Sequence, residues 1–321
     1  MTAIDMNVID LVVTGIGVVS PRGCDPAALV LDGAAGADDA WFDVAAELGA
    51  RGYKYVPPSC RYLLAATRRA VADAGDPFAG VPETERGMAL GTNSGIAALI
   101  DAMDETVTGP GAERLSPATA PYFSINTLAG RVAMDHGVKG WNLTLTSPRT
   151  AGLESLLAGS RAVAAGRSTL LLAGSTEAAL PAHHPAHADS EAGAAVFVLQ
   201  PRSRSRADHY GTCRTVTFSL PAAEPQLEET LIRLLKDAPT PEAALVIADA
   251  SPVAATLARH LRDDLGIPTD TAPAAAGTLL PVLHLARTLS RPGHPRLLAT
   301  GSPDGACAVT LAHPRRLPDN T

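Results

Sequence analysis

Between Gly140 and Leu153 the chain reads Gly140, Trp141, Asn142, Leu143, Thr144, Leu145, Thr146, Ser147, Pro148, Arg149, Thr150, Ala151, Gly152, Leu153. The first part has the β-formers of a strand, Ser147 and Pro148 close it in a sharp turn, and the small apolar residues that follow open a helix. Strands and helices alternate in the same way along the rest of the chain, which argues for α/β layers. The strand, turn and helix of this run are the layout that presents a nucleophile at the tip of a turn. At that tip stands Arg149. A guanidinium stays protonated and has no lone pair to offer, so it can act neither as nucleophile nor as base. The run therefore reads as an enzyme scaffold without its central chemistry.

The rest of the chain carries the same alternation. Asp10 to Gly17 reads as an apolar strand ending in a glycine turn, with Gly15 and Gly17 assigned to that turn. Helical spacing runs from Arg61 to Ala74, Met88 to Gly91 is a short strand, and Ser94 is placed to cap a helix reaching about Val107. Helix Gly152–Ala165 and strands Thr169–Ala173 and Gly193–Leu199 follow. A second series holds strands Cys213–Ser219, Ala244–Ala248, Arg296–Thr300 and Ala306–Ala312, with helices Gln226–Lys236, Val253–Leu265 and Gly277–Leu289. Leu180 to Asp189 and Pro201 to Asp208 are loop-like, the tail from Pro314 is expected to fray, and a boundary near residue 205 divides the chain into halves 1–205 and 206–321.

Hydrophobic residues make up 46% of the chain but aromatics only 4%, so its core must be built from Ala, Val and Leu. The net charge of −7 and a single short basic run, Arg202, Arg204 and Arg206, argue against nucleic acid. Cys24, Cys60, Cys213 and Cys307 lack paired metal spacing; Cys24 and Cys60 read as lying in connections, and none stands at the elbow. With no membrane-length apolar run and no basic-then-apolar leader, a soluble, reduced, cytoplasmic protein is expected. His183, His184 and His187 with Asp189 read as a solvated loop, with a metal cluster as the alternative. His136 is expected to pack near the turn before Gly140. The run Gly91 to Gly95 is not a hydrolase elbow, and with no Walker or dinucleotide fingerprint no cofactor is expected.

Five segments carry a resemblance: Val12 to Pro21 (VVTGIGVVSP), Pro121 to Asn126 (PYFSIN), Asp135 to Gly140 (DHGVKG), Ala173 to Ala178 (AGSTEA) and Glu191 to Ala195 (EAGAA). In that order they resemble β-ketoacyl synthases, the condensing enzymes of the thiolase fold, strongly to about residue 200 and weakly beyond. The resemblance implies a five-layered αβαβα fold of two similar halves, shortened in the loop after Ala178 and in parts of the second half. It assigns a cysteine to the place of Arg149 and histidines to the places of Asp249 and Thr271, so all three catalytic positions are degenerate.

By pattern the chain is most similar to the chain-length factors, or KSβ subunits, of type II polyketide systems, whose glycine-rich C-terminal strand-turn-strand Ala299 to Val309 resembles. Glutamine is common at their elbow and supports malonyl decarboxylation in some of them; Arg149 departs from that habit. The resemblance implies a subunit, non-catalytic by itself, paired with an active β-ketoacyl synthase (KSα) in polyketide or related fatty-acyl or polyene biosynthesis. Acyl carrier protein would deliver thioesters; the Arg202 run itself reads as a solvated loop, with docking of an acidic carrier as the alternative. Tyr122, Phe123, Asn126 and Thr127 would line the acyl tunnel and interface, with core packing as the plain reading. The strand carrying Asn142, Thr144 and Thr146 would be the edge that pairs between subunits. An Arg149–Asp249 ion pair is expected to hold the elbow cation. Two alternatives are a stand-alone malonyl-carrier decarboxylase or acyltransferase, and a homodimeric acyl-binding protein.

Overall fold

Alternation along the strands sorts the buried side chains into three cores, and those cores fix the layers. The computed structural model describes residues 9–32, 41–204, 209–221 and 224–315. Among them the strands are β1 (Leu11–Val19), β2 (Arg86–Gly91), β3 (Asn142–Leu145), β4 (Leu170–Glu177), β5 (Gly193–Pro201), β6 (Gly211–Ser219), β7 (Ala243–Ala248), β8 (Thr269–Pro273), β9 (Arg296–Gly301) and β10 (Ala306–Pro314). The helices are α1 (Val44–Leu48), α2 (Pro58–Asp73), α3 (Ala97–Thr108), α4 (Thr127–His136), α5 (Ala151–Ala164), α6 (Glu224–Leu235), α7 (Pro252–Arg259) and α8 (Leu279–Ser290).

On β5, Ala195, Phe197 and Leu199 enter a central core, while Ala194, Val196 and Val198 enter an outer one with α2 and α4. Strand β10 does the same in the second half: Ala308 and Ala312 face the centre, and Val309 and Leu311 face α6 and α7. Period two with both faces covered is what a strand between helical layers requires. The central core holds α5 and α8, so the order through the molecule is helices, sheet, helices, sheet, helices.

The strand order is β3-β2-β4-β5-β1-β6-β10-β9-β7-β8. Read from each end, the two sets of five strands have the same order and the same directions: β2 lies parallel to β3 and β4 as β7 does to β8 and β9, and β5 and β10 run antiparallel to their neighbours. Two copies of one topology thus meet where Leu11 to Val13 of β1 pair with β6. In each copy a central helix follows the edge strand, α5 after β3 and α8 after β8.

Several sequence expectations shift. Strand β1 does not turn at Gly15 and Gly17 but runs through them to Val19. Their role is close packing: a Cβ at Gly17 would lie 2.0 Å from Ala66 O, and one at Gly15 2.3 Å from Ala70 O, so only glycine lets α2 lie against the strand. Ser94 is not the cap of α3, whose N-cap is Ile96, because its hydroxyl is taken by a buried carboxylate. Cys60 lies inside α2 rather than in a connection. The helix expected over 253–265 is α7 followed by a wider π turn, His260–Asp264. Helix α4 and strand β8, which alternation did not mark, complete the layers; both are short and broken by polar residues. Strand β10 reaches Pro314. The boundary expected near residue 205 lies outside the described residues, as do Arg206 and the end of the tail.

Candidate functional site

Strand β3, the tip at Arg149 and α5 form the expected elbow. Arg149 has φ 61°, left-handed backbone that residues other than glycine rarely adopt. Such conformations cost about 1–3 kcal/mol and persist where the surroundings fix them. Here the fixing is tight: a Cβ at Gly91 would lie 2.3 Å from Ala151 C, and one at Gly152 2.4 Å from Thr278 O, wedging the start of α5 between β2 and α8.

The Arg149 side chain is only 20% exposed, and its Nη1 donates to Oδ2 of Asp249, itself 17% exposed, in the loop after β7. Asp249 Oδ1 accepts the Ser251 amide at 2.9 Å, and Ser251 caps α7. Burial pulls the guanidinium below its ordinary value, and the negative charges of Asp189 and Glu191 act against that pull. The elbow therefore presents a paired cation among carboxylates. Thr271 lies one strand further out on β8, opposite Val246, and is exposed. Asp249 and Thr271 share the wall of an open groove of about 770 Å³ between α7 and β8, floored mostly by alanines.

Two residues inside the resembling segments take roles that sequence reading did not give them. Glu177, at the end of β4, is fully buried and accepts the amides of Asn93 and Ser94 (both 2.7 Å), the Ser94 hydroxyl (2.7 Å) and the Thr278 amide (3.0 Å). Glu191 accepts the first amides of α8, from Leu279 at 3.1 Å and Leu280 at 2.5 Å. Two acidic side chains thus close the first amides of α8. Burial raises the Glu177 carboxyl, and burial followed by the Glu177 charge pushes Glu191 up to about 8. The signal was present: an acidic residue within an otherwise apolar run must find partners if it is buried. A Cβ at Gly277 would strike both carboxylates, and α8 begins two residues later than its pattern predicts.

The remaining sequence candidates are placed individually. Tyr122 is buried in the outer core, whereas Phe123 is 68% exposed. Asn126 is the N-cap residue of α4, accepting from Ser124 Oγ at 2.6 Å, and Thr127 Oγ1 donates to Pro121 O at 2.7 Å. Asn142 and Thr144 lie on β3, an edge of the sheet, and Thr146 just past its end. His183 lies 3.5 Å from Asp101, His184 accepts from the Ala186 amide, and His187 meets Leu180 O. Among the described residues no group of three His, Cys, Asp or Glu side chains is arranged to hold a metal ion. Burial pushes the thiols of Cys60, Cys213 and Cys307 up to about 12. His136 packs beside Phe78, 5.9 Å between ring centres. No helix among the described residues is long and apolar enough to cross a membrane.

Five layers, two copies of one strand topology and an elbow between edge strand and central helix define a thiolase-like ketosynthase fold. The model of the β-ketoacyl synthase N-terminal domain matches residues 25–215, and the chain belongs to that family. It is 28% identical over 203 residues to 3-oxoacyl-[acyl-carrier-protein] synthase 2 of Rhizobium meliloti (52% of this chain, 46% of that protein), and 25% identical over 189 residues to the enzyme of that name from Coxiella burnetii (53% and 46%). The chain spans about half the length of these curated relatives. Among solved structures, the ishigamide ketosynthase/chain length factor superposes with TM-score 0.75 at 22% identity, covering 95% of this chain and 99% of that one. A type II polyketide synthase acyl-carrier protein in complex with its ketosynthase, AntDE:AntF, gives 0.76 at 17%, covering 95% and 99%. A β-ketoacyl synthase from Burkholderia phymatum gives 0.68 at 17%, covering 96% and 100%.

Proposed function

We propose that this chain is a non-catalytic, ketosynthase-like subunit of the chain-length-factor kind, which pairs with an active β-ketoacyl synthase and shapes the acyl tunnel of the pair. One observation carries the reading: the strained elbow is kept, but its tip holds an arginine tied to Asp249, so no nucleophile is presented. The partner's cysteine would form the acyl bond, and acyl carrier protein would bring the thioesters, in polyketide or related fatty-acyl synthesis in the cytoplasm.

The surface beside the elbow supports pairing. Among the described residues strand β3 pairs only with β2, which leaves its outer edge for a second sheet. Helix α3 has no buried residue although it carries Leu99, Ile100, Met103 and Val107. Phe123 on the turn before α4, Met134 on α4 and Leu143 on β3 are exposed. A ketosynthase chain of the same topology offers a matching edge.

Co-expression with an intact ketosynthase tests this. Expected are a stable complex of the two chains, its loss in Phe123→Glu and Leu143→Glu, and no acyl label on this chain. Covalent uptake of labelled malonyl or acyl groups by the isolated chain would overturn the reading, as would a stable homodimer that ignores the ketosynthase.

A further inference from the structure

On the other face of β8 from the Asp249 groove, α8 and strands β7 to β9 line a pocket of about 490 Å³ that opens to solvent, within the size range of small-molecule sites. Its polar lining is unusual. His284, one turn into α8, is 8% exposed, and its Nε2 has no hydrogen-bond partner among the described residues. A buried polar atom left without a partner costs about as much as a lost hydrogen bond, and in native proteins it calls for an explanation. Arg287, one turn further along α8, and Arg296, at the start of β9, also line the cavity and form no ion pair among the described residues. Arg291 is held by Ala27 O at 2.8 Å. Of the three acids on the rim, Glu242 is held by His294 at 2.8 Å, and Asp32 and Asp270 are exposed and pair with none of these arginines. Leu245 and Leu298 supply an apolar wall.

We propose that this cavity binds a small organic oxyanion, its charged head held by Arg287 and Arg296, its apolar body against Leu245 and Leu298, and one polar atom bonded to His284 Nε2. Guanidinium forks match carboxylate and phosphate oxygens in two-point contacts, and an organic body uses volume that a bare ion leaves empty. Burial and the charges of Arg287 and Arg22 lower His284 to about 4 against the opposing pull of Asp32, so at neutral pH its ring is uncharged and offers hydrogen bonding rather than a third positive charge. The site is separate from the elbow: it opens toward the C-terminal part of α8, whereas Glu177 and Glu191 close the N-terminal end.

Titration calorimetry of the full chain with hexanoate, hexyl phosphate and inorganic phosphate tests the proposal. Saturable binding of hexanoate or hexyl phosphate at or below about 1 mM is expected, and the tighter of the two identifies the head group. Arg287→Gln and Arg296→Gln should each weaken it at least about tenfold while leaving the urea midpoint unchanged, because neither arginine forms a hydrogen bond or ion pair among the described residues. Absence of saturable binding by both organic probes, or binding unchanged in both variants, overturns the proposal. Inorganic phosphate binding as tightly as hexyl phosphate overturns the organic character of the ligand. The pairing surface proposed above contains none of these residues, so either idea can fail without the other.

Discussion

Arg149 at the tip of the elbow and Asp249 in the loop after β7 lie 100 residues apart in sequence and share a direct ion pair in the fold. The contact joins the two copies of the strand topology at the elbow. It also explains how a cation can stand with little exposure at the positive end of α5, where a helix dipole disfavours it.

If that pair holds the elbow in place, Asp249→Asn should cost about 1–2 kcal/mol, since it weakens a charge-assisted bond that water still partly reaches. A double-mutant cycle with Arg149→Gln, read by urea unfolding, should show coupling on the order of 1 kcal/mol. Strictly additive costs would mean that the pair contributes nothing.

Glu191 makes stability fall with rising pH. Its folded pKa is raised to about 8 against an unfolded value near 4.3. Between those values the folded chain holds a proton that the unfolded chain has lost, so the contribution is full below about 4.3 and disappears as pH climbs to 8. Glu191→Gln should flatten the fall of the urea midpoint across that window. An unchanged slope would place the proton elsewhere.

His284 acts on the acid side. With its folded value lowered to about 4, the ring stays neutral while the unfolded chain takes up a proton below about 6.5. Stability from this group is therefore complete above 6.5 and lost as pH drops toward 4. Midpoints measured from pH 7 to 4.5 should fall less steeply in His284→Gln than in the parent chain.

Close packing of α2 on β1 predicts a contrast between two glycines. Gly17→Ala sets a methyl against backbone atoms of Ala66 and Ala70, at 2.0 and 2.4 Å, and should cost about 3 kcal/mol or more. Gly130→Ala in α4 meets nothing within 4 Å and should stabilise by about 0.5–1 kcal/mol through helix propensity. Thermal unfolding of both variants checks the sign of each.

From residues alone, the layered α/β class, most element positions and the special character of Arg149 were legible, because they rest on local properties: side-chain period, turn chemistry, and a guanidinium's lack of a lone pair. The family was legible too, from short segments in order. The pairing of the halves was not, since the matching strand orders depend on which edges meet, and nothing local marks β8 or α4 as their completing elements. Nor did the sequence show that Glu177 and Glu191, 14 residues apart along the chain, would converge on the first turn of a helix roughly 90 to 100 residues further on. Burial, and the requirement that buried charges be bonded, act on distances through space; only the folded chain sets those distances, and with them the environment of the elbow.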